Sequence, residues 1–343
     1  MSEAAGRRRG GEERVVATDV KASRGIRGVL ACVDASKFAL KVIPHAIAIT
    51  RALRAELTLL TVLEATGAGD MAPDPVEWDI RRREAEGQLK RAAEEAGGAS
   101  LLIRTEVVTG GPAEQICRRV RDRRADLTVL CTHGAGGATD WNMGGTARKV
   151  VDCAGSVLLI PSFLADVLVP TYQRILLLLD GSPRAESALT VATRLAKAQG
   201  GELVLGHVVP VPELTEIGPF SAEDIELRER LVQRNERVAV EYLDRIRARV
   251  AEGGVRTRGL VLRDGDIRSR LAAAIKDEAI DLVILSAQGH TGLPNTPIGS
   301  VASYLAAHAT VPLLIMRRQA TRSGRRILAT EDVGVRLPDH ATP

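Results

Sequence analysis

A stretch of roughly 150 residues occurs twice in this chain, and that repeat limits the possible folds more than any other feature. The segment VLACVDAS at 29–36 returns as LLLLDGS at 176–182, and DLTVLCTHG at 126–134 returns as DLVILSAQG at 281–289. Asp34 and Asp180 are 146 positions apart, as are Val62 and Val208. Gly110 and Gly265, Gly134 and Gly289, and Gly144 and Gly299 are each 155 apart. The second copy therefore carries nine extra residues between its second strand and the Gly265 region. A unit of this length is a whole domain rather than one turn of a solenoid. Two such units fit 343 residues.

Each copy alternates short apolar runs with helical periodicity. In the first, strands are predicted at 28–33, 57–63, 101–108, 127–130 and 157–160. In the second they fall near 174–179, 203–209, 255–262, 282–286 and 312–316. Ala39, Leu40, Ile43, Ala46 and Ile47 recur at helical spacing behind a capping Ser36. Further helices are expected at 76–96, from the Gly110-Gly111-Pro112 turn through Arg123, and over 146–153. A longer one near 221–251 takes up the nine extra residues. Strands alternating with helices predict an α/β fold: two tandem, doubly wound, five-stranded parallel-sheet domains of Rossmann-like type. The domains are placed at 25–162 and 173–318, joined by a linker at 163–172. Disordered tails are expected at 1–24 and 319–343.

Composition removes several alternatives. Apolar residues make up 45% of the chain and aromatic ones only 2%, so both cores must be aliphatic, which suits buried parallel strands. The same shortage argues against aromatic platforms for single-stranded nucleic acid. The net charge of +4 is small, and arginines at 7–9 and at 317, 318, 322, 325 and 326 place much of it near the ends. Solvated tails explain it, with a basic arm for nucleic acid or anionic lipid as the second reading. No apolar run reaches about 18 residues, and the arginine-bearing N-terminus has no apolar core of a signal peptide. Cys32, Cys117, Cys131 and Cys153 form no CxxC and no zinc spacing, so four free thiols in a reducing cytoplasm are expected.

In an open parallel sheet, ligands bind at the carboxyl ends of the strands. Four features recur there: Asp34 or Asp180 after strand one, Gly110 or Gly265 after strand three, Gly134 or Gly289 after strand four, and Gly144-Gly145 or Gly299-Ser300 opening the next helix. Glycines admit positive φ and close backbone approach, and a helix start favours phosphate. The second copy thus reads as a phosphate cradle of Gly289, nine residues, Gly299 and the Ser300 hydroxyl. Each feature also has a plainer reading. Asp34 and Asp180 could cap the following helix, and Gly110 and Gly265 could serve a turn. His133 and His290 read as surface loop residues, and Cys131 as a packed thiol. Pro294 and Pro297 stiffen the second loop. Trp141 either covers a ligand or fills its place.

These motifs, in this order and twice over, resemble the universal stress protein family in its tandem form. The nucleotide-binding branch of that family carries G-x2-G-x9-G-[S/T] after strand four. Ser286 stands here for the first glycine in the second copy and Cys131 in the first. Gly145 occupies the Ser/Thr place of the first copy, with Thr146 one residue on. The resemblance implies an ATP or AMP site, with Mg2+ as an accompanying ion. In the second domain it implicates Asp180, Gly181, Ser182, Val208, Gly265, Ser286, Gly289, Gly299, Ser300 and Val301. In the first it implicates Asp34, Ala35, Ser36, Val62, Gly110, Gly134, Gly144, Gly145 and Thr146. Val62 and Val208 match the position whose backbone meets adenine in the family. The second domain is expected to hold the better site, because the first lacks the hydroxyl.

The resemblance further implies a stress-response regulator rather than a turnover enzyme, with slow ATP hydrolysis or self-phosphorylation as the limit of its chemistry. No P-loop is present. An adenylating ligase is disfavoured, since neither Asp34-Ala35-Ser36 nor Asp180-Gly181-Ser182 is an SGG or HIGH-like motif. The competing reading is a scaffold of two domains that binds protein partners without nucleotide. In this family fifth strands pair across dimers, so 157–160 and 313–316 are expected to meet as an intramolecular pseudo-dimer. A homodimer of the whole chain and an unknown regulatory partner are further expectations.

Overall fold

The structure is a computed structural model that describes residues 25–34, 41–64, 74–97, 101–122, 125–134, 143–167, 169–212, 221–263, 266–289, 298–308 and 310–317. The first half runs β1 (Gly28–Cys32), α1 (Val42–Leu53), β2 (Glu56–Leu63), α2 (Pro75–Gly97), β3 (Ile103–Thr109), α3 (Pro112–Arg121), β4 (Leu127–Cys131), α4 (Gly145–Cys153) and β5 (Ser156–Ile160). The second runs β6 (Arg174–Leu178), α5 (Pro183–Glu186), α6 (Leu189–Gln199), β7 (Glu202–Val208), α7 (Ala222–Ala251), β8 (Arg256–Leu262), α8 (Ile267–Asp277), β9 (Leu282–Ser286), α9 (Ser300–His308) and β10 (Leu313–Met316). The third strand begins two residues later than its apolar pattern suggests, since exposed Leu102 lies outside it. The expected cap Ser36, together with Ala39 and Leu40, lies outside the described residues, as do the tails at 1–24 and 319–343.

All ten strands join one sheet in the order β3-β2-β1-β4-β5-β10-β9-β6-β7-β8. Every neighbouring pair is parallel except β5 with β10. At that seam Leu158 faces Leu314 and Leu159 faces Leu313. Residues 313 and 314 are the repeat mates of 158 and 159, so each strand meets its own counterpart in a self-complementary, twofold manner. The apolar edges at 157–160 and 313–316 thus cover one another. The outer edges, β3 and β8, are half-exposed and carry charge: Arg119 holds Glu106 at 2.8 Å, and Arg258 bridges Glu202 and Glu278.

Alternation along the strands sends side chains to two faces. Ala31, Leu59, Val129 and Leu158 pack under α1, α2, α6 and α7, whereas Leu30, Leu60, Leu130 and Leu159 pack under α3, α4, α8 and α9. Across the seam α1 lies against α6. A buried polar pair joins the halves there: His45 Nδ1 and the Tyr172 hydroxyl are 2.7 Å apart. Burial lowers the His45 imidazole to about 4 and pushes the Tyr172 hydroxyl well above its ordinary range.

Two repeated aspartates outside the candidate site prove structural. Asp126 Oδ2 accepts the backbone N–H groups of Arg27 and Gly28 at 2.8 and 3.0 Å. Its mate Asp281 accepts those of Gln173 and Arg174 at 2.6 and 3.0 Å. Each therefore ties the start of its half's first strand to the turn before the fourth. The expectation of four free thiols is corrected: Cys117 and Cys153 form a disulfide between α3 and α4, and only Cys32 and Cys131 are free. No pairing rule could extract this from sequence, because residues 36 apart meet only when the two helices pack.

Candidate functional site

The site in each half is assembled at the carboxyl edge of the sheet. Beyond β1, the Val33 N–H donates to Leu60 O at 2.9 Å, and beyond β6 the Leu179 N–H donates to Gly206 O at 2.8 Å. These bonds prolong the extended chain by one residue, so Asp34 and Asp180 stand at the strand tips. Beyond β4 and β9, Thr132 N–H donates to Ile160 O and Ala287 N–H to Met316 O. The loop that leaves each strand returns to it: Gly144 N–H donates to Thr132 O at 2.9 Å, and Gly299 N–H to Ala287 O at 2.7 Å. Helices α4 and α9 consequently start beside the tips of their fourth strands.

Space rather than backbone sign favours glycine in this loop, most at Gly134 and Gly289, less at Gly144, and not at Gly299, where a Cβ would make an ordinary contact. None of Gly134, Gly144, Gly289 and Gly299 has positive φ. A Cβ on Gly289 would lie 2.8 Å from Asp180 Oδ2, and one on Gly134 would collide with Asp34 Oδ2. A Cβ on Gly144 would lie 3.1 Å from Thr132 O and one on Gly299 3.4 Å from Ala287 O. The expected positive φ does occur at two other named glycines. Gly110 has φ +126° and donates its N–H to Leu63 O at 3.0 Å, and Gly181 has φ +80°.

Gly144 and Gly299 accept the first helical bonds, from Arg148 N–H and Ser303 N–H at 2.9 Å each. The N–H groups immediately after them lie in the first turn, where an α-helix supplies no internal acceptor. Gly145 and Thr146 are exposed in α4, as is Ser300 in α9, while Val301 is half-buried on the core. The aspartate, the loop glycine and the helix start are therefore brought together in both halves. Val208 ends β7 and Val62 lies one residue before the end of β2; both are half-buried and paired, with Leu262 and Val108 respectively. Residues Ala35, Ser36, Gly265, Trp141, His290, Pro294 and Pro297 lie outside the described residues.

Several named side chains are engaged in local structure. Asp180 Oδ1 accepts the Ser182 N–H at 3.0 Å, and buried Ser182 accepts the Ala185 N–H at 3.2 Å as the cap of α5. Ser286 donates its hydroxyl to Gln288 O at 2.6 Å. Burial holds the Cys131 thiol above its ordinary value, with Asp34 adding to it, while backbone hydrogen bonds from His133 and Thr132 and the Lys41 charge oppose the shift. His133 Nδ1 lies 3.2 Å from both the Thr132 and Ser162 hydroxyls. Lys41 reaches the carbonyls of Ser162 and Leu164 and the carboxylate of Asp166, tying the connecting segment to the first half.

Sequence reasoning missed His207 and Tyr242. His207 Nδ1 lies 2.8 Å from Leu179 O, where the first half uses the Thr61 hydroxyl on Val33 O at 2.9 Å. Tyr242 stands edge-on to His207, and its hydroxyl bonds Glu186 at 3.2 Å. Burial, then Glu186 and Asp180, pushes that phenol upward. The offset of 146 pairs His207 with Thr61, so the substitution was visible in sequence, but its packing against a helix with no strict mate was not. Among the described residues no three His, Cys, Asp or Glu side chains gather as a metal site, and no helix is long and apolar enough to cross a membrane.

A parallel α/β sheet with a glycine loop and helix start at the tip of each fourth strand, built twice in one chain, defines a tandem Rossmann-like protein. The chain belongs to the universal stress protein family, whose model matches residues 25–161 and 171–317. A universal stress protein of Mycobacterium tuberculosis is 28% identical over 277 residues, covering 76% of this chain and 87% of the relative. One from Thermus aquaticus is 32% identical over 148 residues, 43% of this chain and 99% of its own. Among solved structures, a universal stress protein from Archaeoglobus fulgidus superposes with a TM-score of 0.60 at 19% identity, over 85% of this chain and 98% of that one. A functionally unknown protein from Pseudomonas aeruginosa gives 0.58 at 14% identity, over 85% and 93%. These two likenesses concern the fold.

Proposed function

We propose that this chain is an adenine-nucleotide-binding regulator of the stress response, with its better site in the second half. One observation carries the reading: the Asp180 carboxylate lies directly against Gly289, beside the start of α9 at Gly299-Ser300. A side chain on Gly289 would fill that cradle, and the residues present fit the ligand's chemistry. A carboxylate suits sugar hydroxyls, and first-turn N–H groups with a serine hydroxyl suit phosphate. Gly145 offers no hydroxyl at the matching place in the first half. ATP and AMP are the ligands proposed. Mg2+ would come with the phosphates, and no side chain is assigned to it.

The scaffold reading keeps one observation in its favour. The Ser286 hydroxyl, which stands where the family pattern has glycine, is turned onto its own loop at Gln288 O. The test is to purify the protein, denature it and identify released nucleotide by chromatography and mass spectrometry, beside an Asp180→Ala, Gly299→Val variant. Near-stoichiometric adenine nucleotide, lost in the variant, is the expected result. Absence of nucleotide together with no thermal shift on adding ATP would transfer the function to protein partners.

A further inference from the structure

We propose that Cys117 and Cys153 form a reversible thiol–disulfide exchange site for small anionic thiols, and that its state sets the rigidity of α4. The pair belongs to the first half alone. At the repeat mates of these cysteines the second half has Ala272 in α8 and His308 in α9. There no covalent bond joins the two helices; His308 Nδ1 lies 2.8 Å from Tyr304 O and its ring stacks on Tyr304 at 4.3 Å, both within α9.

Three observations fit exchange better than a purely structural bridge. The first is access, since Cys153 is exposed on the last turn of α4 and Cys117 is half-buried on α3. The second is charge. Arg118 and Arg121 flank Cys117 on α3, Lys149 lies one turn before Cys153, and Arg148 stands beside it. Asp152 and Glu114 are the acidic neighbours on the same two helices. The Arg317 guanidinium sits on the carbonyls of Val151, Asp152 and Ala154 at 2.7, 2.9 and 3.1 Å. This basic excess draws an anionic reagent toward the pair. The third is contrast with the free thiols: burial raises Cys32 to about 12 and also raises Cys131, so neither competes as a nucleophile.

The exchange balances without another reactant. A small thiolate attacks Cys153 Sγ, the protein S–S bond breaks, and Cys117 leaves as thiolate. A second small thiolate then attacks the mixed disulfide, releasing the small disulfide and the Cys153 thiolate. The protein bond is reduced by two electrons and two small thiols are oxidised to one disulfide; the reverse steps close it. Opening the bond removes the covalent tie to α3 and leaves the apolar packing of Ile116 and Val120 against Ala147, Val150 and Val151, with Arg317, from the second half, on the carboxyl end of α4. The amino end of the same helix carries Gly144, pinned to Thr132 O. The redox state of the pair is thereby transmitted to the strand-tip loop of the first half, whether or not that loop binds nucleotide.

The full-length protein is equilibrated in mixtures of reduced and oxidised glutathione, trapped with an alkylating reagent and analysed by peptide mass. Hydrogen exchange is then compared at 145–153 and at 300–308. Cys117 and Cys153 are expected to titrate together, while Cys32 and Cys131 react only after unfolding. Reduction is expected to raise exchange in α4 about tenfold or more and to leave α9 unchanged. A Cys117→Ser, Cys153→Ser variant should match the reduced protein in either buffer; should it fail to fold, the reduced wild type supplies the same comparison. A pair that stays in one state across all mixtures, or equal exchange in α4 before and after reduction, would overturn the proposal.

Discussion

The two halves share a backbone plan and differ in how they secure it. Some residues kept in both copies answer a demand of the geometry. Asp126 and Asp281 tie the first strand to the turn before the fourth, and Gly134 and Gly289 make room for a carboxylate. Where they differ, one local problem has two solutions. A hydroxyl or an imidazole braces the residue before the aspartate, through Thr61 or His207. The cap after α1 is Arg54 at φ 51°, and after α6 it is Gly200 at φ 63°. The first half is secured by a disulfide and by Lys41 on the connecting segment, the second by Tyr242, Glu186 and Arg249 around its long helix. A fold can thus require a contact without prescribing the chemistry that makes it.

Exchanging matched residues between the halves tests which of these contacts carry function. Removing a carboxylate is expected to have the largest effect. Asp180→Ala should weaken adenine nucleotide binding by tens-fold, corresponding to about 2–3 kcal/mol, and Asp34→Ala should weaken total binding much less. Isothermal titration of both variants checks this, and equal losses would end the ranking of the two sites.

Next is a pH effect at the seam. His45 is held near 4 in the folded protein but titrates near 6.5 when unfolded. Between those values the unfolded chain binds more protons, so the group's contribution is complete above about pH 6.5. It declines as pH falls toward 4, by on the order of 2–3 kcal/mol. The repeat mates of His45 and Tyr172 are Val191 and Ile26. His45→Val with Tyr172→Ile should therefore flatten that part of the stability curve in denaturant titrations at several pH values. An unchanged slope would locate the acid sensitivity elsewhere.

Arg317→Ala strips three carbonyls at the end of α4 of a shared guanidinium. It should cost about 2 kcal/mol in chemical denaturation, whereas Ser162→Ala, at the matching position of the first half, should cost less. The smallest effect expected is a gain: Arg54→Gly places at the first cap the residue the second already has. It should stabilise by about 0.5–1 kcal/mol, read as a rise in melting temperature.

The repeat, the strand–helix alternation and the meeting of the fifth strands were legible in sequence because each rests on periodicity or on edges that need cover. The strand-tip assembly was legible for the same reason: glycines at a fixed spacing of ten followed apolar runs in both copies. What escaped depends on packing between distant segments. The Cys117–Cys153 bond needs α3 against α4, and the His45–Tyr172 pair needs α1 against the entry to β6. The reason for Gly134 and Gly289 also escaped, since only coordinates show that the atom in the way belongs to an aspartate about a hundred residues earlier.

The antiparallel join of β5 and β10 has a consequence for dilution. Two separate chains meeting along that edge would come apart as their concentration fell. Here both edges belong to one chain, and the short segment between the halves holds them at an effective concentration on the order of millimolar, at any abundance of the protein. Pairing is thus uncoupled from expression level.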